Sequence, residues 1–195
     1  MKRTTILPLL ALATLLSATA TAQNTMNDMD TLNLSLEWDK TFPQSERVSH
    51  TKVTFHNRYG ITLAADLYKP KDAVGPLAAV AVCGPYGAVK EQVSGLYAQT
   101  LAERGFLTIA FDPSFYGESG GRPRYLTSPE ISTDDFSAAV DYLSTREDVD
   151  PQRIGICGLC GCGGCGPHAS AHRPRPRRHA TATSHVSSPL TARGH

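Results

Sequence analysis

Apolar and polar residues alternate on both sides of a turn in the first half of this 195-residue chain. Val53 and Phe55 alternate with polar neighbours, and the alternation resumes at Ile61 after the turn sequence of residues 57–60. A period of two residues around a glycine-containing turn is typical of a β-hairpin with one buried face. The pattern therefore predicts a hairpin within residues 48–68.

Two later segments, residues 77–83 and 107–111, are continuously apolar, which predicts strands that are covered on both faces, as in parallel sheets. Between them, apolar residues recur at helical spacing, and Gly105 follows as a C-terminal cap. The members of this stripe are Val93, Leu96, Tyr97 and Leu101. Strand, helix and strand in this order predict one βαβ unit.

A second unit of the same kind follows. Ser132 or Thr133 is predicted to cap a helix with an apolar stripe, and residues 153–157 form the next apolar segment. The stripe consists of Phe136, Ala139, Val140 and Leu143. A hairpin followed by two such units predicts an α/β fold with three layers and a mostly parallel sheet, entered through an N-terminal antiparallel hairpin.

The first 22 residues have the pattern of a secretory signal peptide. A basic start at residues 2–3 precedes an apolar run over residues 6–16, and small residues precede the predicted cleavage site. The run is shorter than the about 20 residues that a membrane span needs. We therefore expect export to the periplasm or beyond, no membrane attachment after cleavage, and a loose lead-in segment over residues 23–47.

The thiols of the chain are concentrated near one glycine-rich stretch. Gly158-Leu159-Cys160-Gly161 fits the first four positions of the G-x-nucleophile-x-G elbow and follows a predicted strand, as that motif requires. Glycines suit such a turn because its backbone is strained, and a thiolate is a strong nucleophile. Cys162 stands at the fifth position, where glycine is usual. The alternative is a buried thiol at a glycine-rich strand end.

Two other segments lie at predicted strand ends. Residues 83–87 form a glycine-containing turn whose backbone N–H groups, together with that of Gly161, could hold an oxyanion, although a plain strand-to-helix turn has the same composition. Asp112 and Glu118 follow the next strand and could face the nucleophile. We expect them instead to cap turns.

These motifs together resemble the α/β-hydrolase superfamily, in its bacterial branch related to dienelactone hydrolases and polyketide-transferase-like hydrolases. The similarity spans about residues 48–164, through segments 84–92, 116–121 and 150–155 and the Cys160 elbow. The resemblance implies that Cys160 is the nucleophile and that the backbones of Tyr86 and Gly161 form the oxyanion hole. It also implies a small-molecule substrate with an ester-like or related acyl bond. We expect neither a cofactor nor a metal, and the oligomeric state is left open.

In that family the acidic residue and the histidine of the triad follow the elbow. The residues after Gly161 contain no Asp or Glu, and no histidine there has the family's context; they are His168, His172, His179, His185 and His195. Residues 48–161 are therefore predicted to be the N-terminal half of a hydrolase domain, with little or no turnover. Residues 162–195 lack apolar periodicity and are predicted to be a disordered tail outside the family. Their composition resembles a GC-rich gene read out of frame, so we expect a frameshift after about Gly161.

Two other functions fit parts of the sequence. Cysteine pairs with two intervening residues, followed by histidines, could bind a metal, but the pairs lie closer together than in zinc fingers. The arginine-rich residues 173–178 could form a basic binding module. A net charge of +1 and the expected export argue against a nucleic-acid partner. Clustering of four of the five cysteines within residues 157–165 disfavours a disulfide scaffold.

Overall fold

The computed structural model describes residues 32–35 and 37–163. The predicted signal peptide, most of the predicted tail and part of the lead-in lie outside the described residues. Within the described part, no helix has the length and apolar character that crossing a membrane demands.

The chain enters the fold through the predicted hairpin. Strand β1 spans Val48–His56 and pairs antiparallel with β2, Thr62–Pro70. The side-chain oxygen of Asn57 accepts hydrogen bonds from the backbone N–H groups of Tyr59 and Ile61, both at 3.0 Å. These bonds stabilise the turn because they satisfy backbone donors that have no strand partner.

Three further strands complete a five-stranded sheet in the order β1-β2-β4-β3-β5. They are β3 (Leu77–Cys83), β4 (Leu107–Phe111) and β5 (Val149–Gly158). Strand β3 lies parallel to both β4 and β5, and β2 joins the hairpin to β4 in antiparallel orientation. The predicted α/β fold is confirmed, and β5 begins four residues before the predicted segment 153–157.

Two helices, α1 (Val93–Ala102) and α2 (Pro129–Ser144), cover opposite faces of the sheet. From β3 the chain crosses to β4 on one side of it. From β4 it crosses back, past β3, to β5 on the other side. Right-handed crossovers in opposite directions place their helices on opposite faces. The predicted three layers follow from this topology.

Helix α2 begins earlier than the sequence predicts. Its N-cap is Ser128, whose side chain accepts a hydrogen bond from the N–H of Ile131, and Pro129 occupies the first turn. Proline favours this position because it has no N–H to satisfy. Ser132 and Thr133 are therefore not the cap; both lie inside the helix. The predicted apolar stripe of α2 is fully or almost fully buried.

Helix α1 buries a different face from the predicted one. Leu96 and Tyr97, two members of the predicted stripe, are 43% and 45% exposed. The buried face consists of Ser94, Gly95, Ala98, Gln99 and Ala102. A Cβ at Gly95 would collide with the carbonyl oxygen of Lys90. Small residues occupy the buried face because the helix lies so close to the neighbouring backbone that larger side chains do not fit. Gly105, with φ of 96°, ends the helix as predicted.

Candidate active site

The sharp turn after β5 presents a thiol at the C-terminal edge of the sheet. The strand ends at Gly158, and Cys160–Gly163 forms a short 3-10 helix. The side chain of Cys160 is exposed, and its φ of 53° lies in the left-handed region. That conformation costs a non-glycine residue about 1–3 kcal/mol and persists only where the surrounding structure enforces it. Strain of this kind is characteristic of a nucleophile elbow.

The two glycines that flank the nucleophile turn, Gly158 and Gly161, are closely packed. A Cβ at Gly158 would meet the backbone of Cys162, and one at Gly161 would meet the ring of Tyr86, in both cases closer than 3.0 Å. A side chain at Gly158 would therefore collide with fixed backbone, and one at Gly161 would have to displace the ring of Tyr86. The fifth position of the motif tolerates a side chain because Cys162 is fully buried beneath the turn.

The turn after β3 lies against this elbow. The N–H of Leu159 donates to the carbonyl oxygen of Cys83 at 3.0 Å, which joins the ends of β3 and β5. The ring of Tyr86 lies over Gly161, and Gly87 reverses the chain with φ of 82°. The structure thus brings together the three residues that the sequence marks as site candidates. Their roles in catalysis stay predictions.

Asp112 caps turns, as expected from the sequence. Its carboxylate is fully buried and accepts hydrogen bonds from the backbone N–H groups of Lys90 at 2.7 Å and Glu118 at 2.9 Å. The ammonium of Lys90 donates to the same carboxylate at 2.9 Å. Glu118 accepts from the N–H of Ser35 at 2.6 Å and from Lys52 at 2.7 Å. These bonds fix the loop after β4 to the turn after β3.

Sequence reasoning missed the ionic cluster of which these bonds are part. The cluster consists of Lys40, Lys52, Lys90, Asp39, Asp66, Glu91, Asp112, Glu118 and His50. Although burial opposes ionisation, hydrogen bonds from Lys40 and Lys52 lower the pKa of Asp39 to about 2. No sequence signal pointed to the cluster because its members are scattered over six segments of the chain.

The carboxylates of Asp39, Glu91 and Glu118 lie within 4.8 Å of one another, close enough to share a cation. Lysine ammonium groups already lie among them: that of Lys52 is 3.2 Å from Asp39 and 2.7 Å from Glu118. An ammonium supplies the compensating charge and offers no lone pair to a metal. The residues therefore form a structural ionic cluster, and their chemistry does not suit a metal centre.

The two histidines among the described residues, His50 and His56, both lie on β1. In the part of the chain that the structure describes, that strand and β5 are the two edges of the sheet, four strand spacings or about 19 Å apart. His50 is bound to the buried Asp66 at 2.8 Å. Neither histidine can act as a base for Cys160 from there. The other five histidines lie outside the described residues.

A second buried carboxylate missed by sequence reasoning is Asp135 on α2. It accepts hydrogen bonds from the N–H and hydroxyl of Ser114 and from the amide of Asn57, all at 2.8 Å. Burial raises its pKa to about 6. These bonds connect α2, the loop after β4 and the hairpin turn, which is a structural role.

Cys157, the first member of the predicted metal-binding pairs, lies in a different environment from Cys160. It is buried in the apolar cluster under α1, with Val82 and Leu159, and burial raises its pKa. Cys160 is exposed. Among the described residues, the sulfur atoms of Cys157, Cys160 and Cys162 do not form a group close enough to hold one ion. Cys165, His168 and His172 lie outside the described residues.

Comparison with known proteins supports the fold. The chain matches the model of the Dienelactone hydrolase family over residues 63–192. This match passes beyond Gly161 into the segment for which the sequence predicts no family resemblance, and that predicted boundary stays a prediction.

Three relatives show the extent of the similarity. The uncharacterized protein PA2218 of Pseudomonas aeruginosa is 61% identical over 142 residues, which are 72% of this chain and 38% of that protein. Its crystal structure superposes with a TM-score of 0.75 at 60% identity, covering 77% of this chain and 47% of that one. The uncharacterized protein YcjY of Escherichia coli is 48% identical over 113 residues, 56% of this chain and 37% of that protein.

The third relative is the thiohydrolase aneE of Aspergillus aculeatus, 34% identical over 114 residues, which are 58% of this chain and 35% of that protein. The chain thus spans less than half the length of each of these three relatives. The family match itself covers about two thirds of the chain, including the hairpin's second strand, the turn after β3 and the elbow. The chain therefore belongs to the dienelactone hydrolase family of α/β hydrolases.

Proposed function

We propose that the chain acts on an ester-like or thioester acyl bond of a small molecule, with the thiolate of Cys160 as nucleophile. The observation that carries this proposal is the left-handed backbone of Cys160, which is exposed at the turn after β5 between two closely packed glycines. The thiohydrolase relative supports the acyl class of substrate.

The proposed chemistry is acyl transfer. The Cys160 thiolate attacks the carbonyl carbon, and the oxyanion that forms accepts hydrogen bonds from the backbone N–H groups of Tyr86 and Gly161. Collapse of this intermediate expels the alcohol or thiol and leaves a thioester on Cys160. Water then hydrolyses the thioester and regenerates the thiol. The close approach of the Tyr86 turn to Gly161 supports this assignment.

We propose that turnover is weak. Both histidines among the described residues lie on the far edge of the sheet, so neither can serve as the base for Cys160. A nucleophile and oxyanion hole without a base and acid retain only a small part of the rate of an intact triad. Acylation by an activated ester should therefore occur, and the steady-state rate should be low.

The test is acylation of the full chain by p-nitrophenyl acetate, followed by intact mass spectrometry and peptide mapping. We expect one acetyl group on Cys160, with a burst of p-nitrophenol and little turnover afterwards. The Cys160→Ala variant should lose the adduct, and the Cys157→Ala variant, which lacks a buried thiol, should keep it. An adduct that survives in Cys160→Ala would refute the nucleophile. Sustained hydrolysis by the wild type that is lost in Cys160→Ala would refute the proposal of weak turnover and would leave Cys160 as the nucleophile.

We also propose that the chain is exported through its first 22 residues. The basic start, the short apolar run and the small residues before position 23 support this proposal. Expression of the full chain followed by cell fractionation should yield a periplasmic or secreted product that begins at Gln23. A product that keeps its N-terminus and stays in the cytoplasm would refute the proposal.

A further inference from the structure

The thiols of Cys83 and Cys162 lie side by side although 79 positions separate them in the chain. Their sulfur atoms are 3.3 Å apart, and both side chains are almost completely buried, at 1% and 0% exposure. Cys83 is the last residue of β3, and Cys162 lies in the 3-10 helix after β5. A disulfide has an S–S length of about 2.05 Å, so a movement of about 1.2 Å shared by two side chains would suffice to form one.

The proposed hydrolysis does not use either thiol. Cys160 is the exposed thiol at the elbow, whereas Cys162 points into the core on the face that α2 covers. The elbow motif ordinarily has glycine at the position of Cys162, so a second cysteine is not part of the acyl-transfer machinery. Its position directly against Cys83 calls for a separate explanation.

We propose that Cys83 and Cys162 form a disulfide bond that ties the turn after β3 to the nucleophile elbow after β5. The reaction is a two-electron oxidation by an organic disulfide, such as oxidised glutathione or the disulfide of a thiol oxidoreductase. One cysteine thiolate attacks a sulfur of that disulfide and releases one thiol. The second cysteine then attacks the mixed disulfide and releases the other thiol, so two protons and two electrons leave the pair.

The environment of the pair predicts when this bond forms. The hydrogen bond with Cys162, together with burial, raises the pKa of Cys83 well above its ordinary value. Only thiolates attack disulfides, and both thiols are buried away from an approaching reagent, so the folded, reduced chain should react slowly. Oxidation should therefore be fast while the chain folds and slow once it is folded. The oxidising compartment to which we expect the chain to be exported would allow the bond to persist.

The bond would also hold the candidate site together. It joins the two segments that carry Tyr86 and Gly161, next to the existing hydrogen bond between Leu159 and Cys83. It closes a loop of about 80 residues and so restricts the unfolded chain, which raises the thermal midpoint of unfolding.

The experiment compares the full chain refolded from the reduced state with and without oxidised glutathione. After alkylation and digestion, we expect a peptide pair linked through Cys83 and Cys162, with the remaining three of the five cysteines alkylated. Tm should rise by about 5 °C or more and fall back on addition of a reductant. The wild-type chain serves as its own control, so this comparison does not depend on whether a variant folds.

Matched variants identify the pair. Cys157→Ala should still form the link, whereas Cys83→Ala and Cys162→Ala should lose both the link and the redox-dependent change in Tm. Full alkylation of all cysteines after oxidative refolding would overturn the proposal. A bond between Cys162 and another cysteine, with Cys83 free, would overturn it as well. Acylation of Cys160 tests a different atom, so either proposal can fail without the other.

Discussion

Replacing Lys90 by methionine tests whether the ionic cluster stabilises the fold. The Lys90 side chain is fully buried, and its ammonium lies 2.9 Å from Asp112 and 2.7 Å from Glu118. Methionine preserves much of the apolar length and removes the charge. Asp112, which is also fully buried, would then lack its cation. Removal of one partner of a buried pair costs about 3–5 kcal/mol. Because Asp112 keeps two backbone N–H donors, we expect about 3 kcal/mol.

The control is Lys69→Met. Lys69 pairs with Asp148 at 3.0 Å, but their side chains are 35% and 24% exposed, and an ion pair of that kind contributes about 0–1 kcal/mol. Urea unfolding followed by far-UV circular dichroism gives both free energies. Adding Asp112→Asn to Lys90→Met should recover part of the loss, since the unpaired charge is removed as well. A loss within about 1 kcal/mol for Lys90→Met, or an equal loss for Lys69→Met, would refute the reasoning.

Three further changes test other parts of the structure. Gly161→Val should lower the free energy of unfolding, measured in urea, by about 1–3 kcal/mol because the valine side chain would overlap the ring of Tyr86. Adding Tyr86→Ala to the same chain should recover part of that loss. If the losses from the two substitutions simply add, the overlap is contradicted. Burial raises the pKa of Asp135 from 3.8 to about 6, so its stabilising contribution is complete below about pH 4 and is lost as the pH rises through 6. The free energy of unfolding of the wild type should therefore fall by about 2 kcal/mol relative to that of Asp135→Asn between pH 4 and 7, and a difference independent of pH would exclude the shift. Phe136→Ala, at a fully buried position, should lower the free energy of unfolding by about 3–5 kcal/mol. Val74→Ala, at 93% exposure, should change it by less than about 0.5 kcal/mol. Similar losses in the two variants would place Phe136 outside the core.

Several features of this protein follow from the sequence alone because their causes are local. The hairpin, the two later apolar strands and the stripe of α2 depend on residues two to four positions apart, and such patterns are visible without a fold. The glycines at positions 158 and 161 were also predictable from the elbow motif. In each case a short segment contains the whole physical reason for its conformation.

Other features were decided by tertiary packing. The order of strands placed β4 between β2 and β3, and that order alone put His50 and the elbow on opposite edges of the sheet. The buried face of α1 was wrong in the prediction because Gly95 has to lie against the backbone of Lys90, a contact that helical periodicity does not contain.

The contacts that stabilise and distinguish the site join residues far apart in the chain. Lys90 meets Asp112 and Glu118, and Cys83 meets Cys162, only after β3, β4 and β5 have aligned side by side. The amino-acid sequence by itself determined where the strands, helices and candidate nucleophile lie. The tertiary structure decided which buried charges and thiols become partners, because such pairing depends on distances in space that no spacing along the chain encodes.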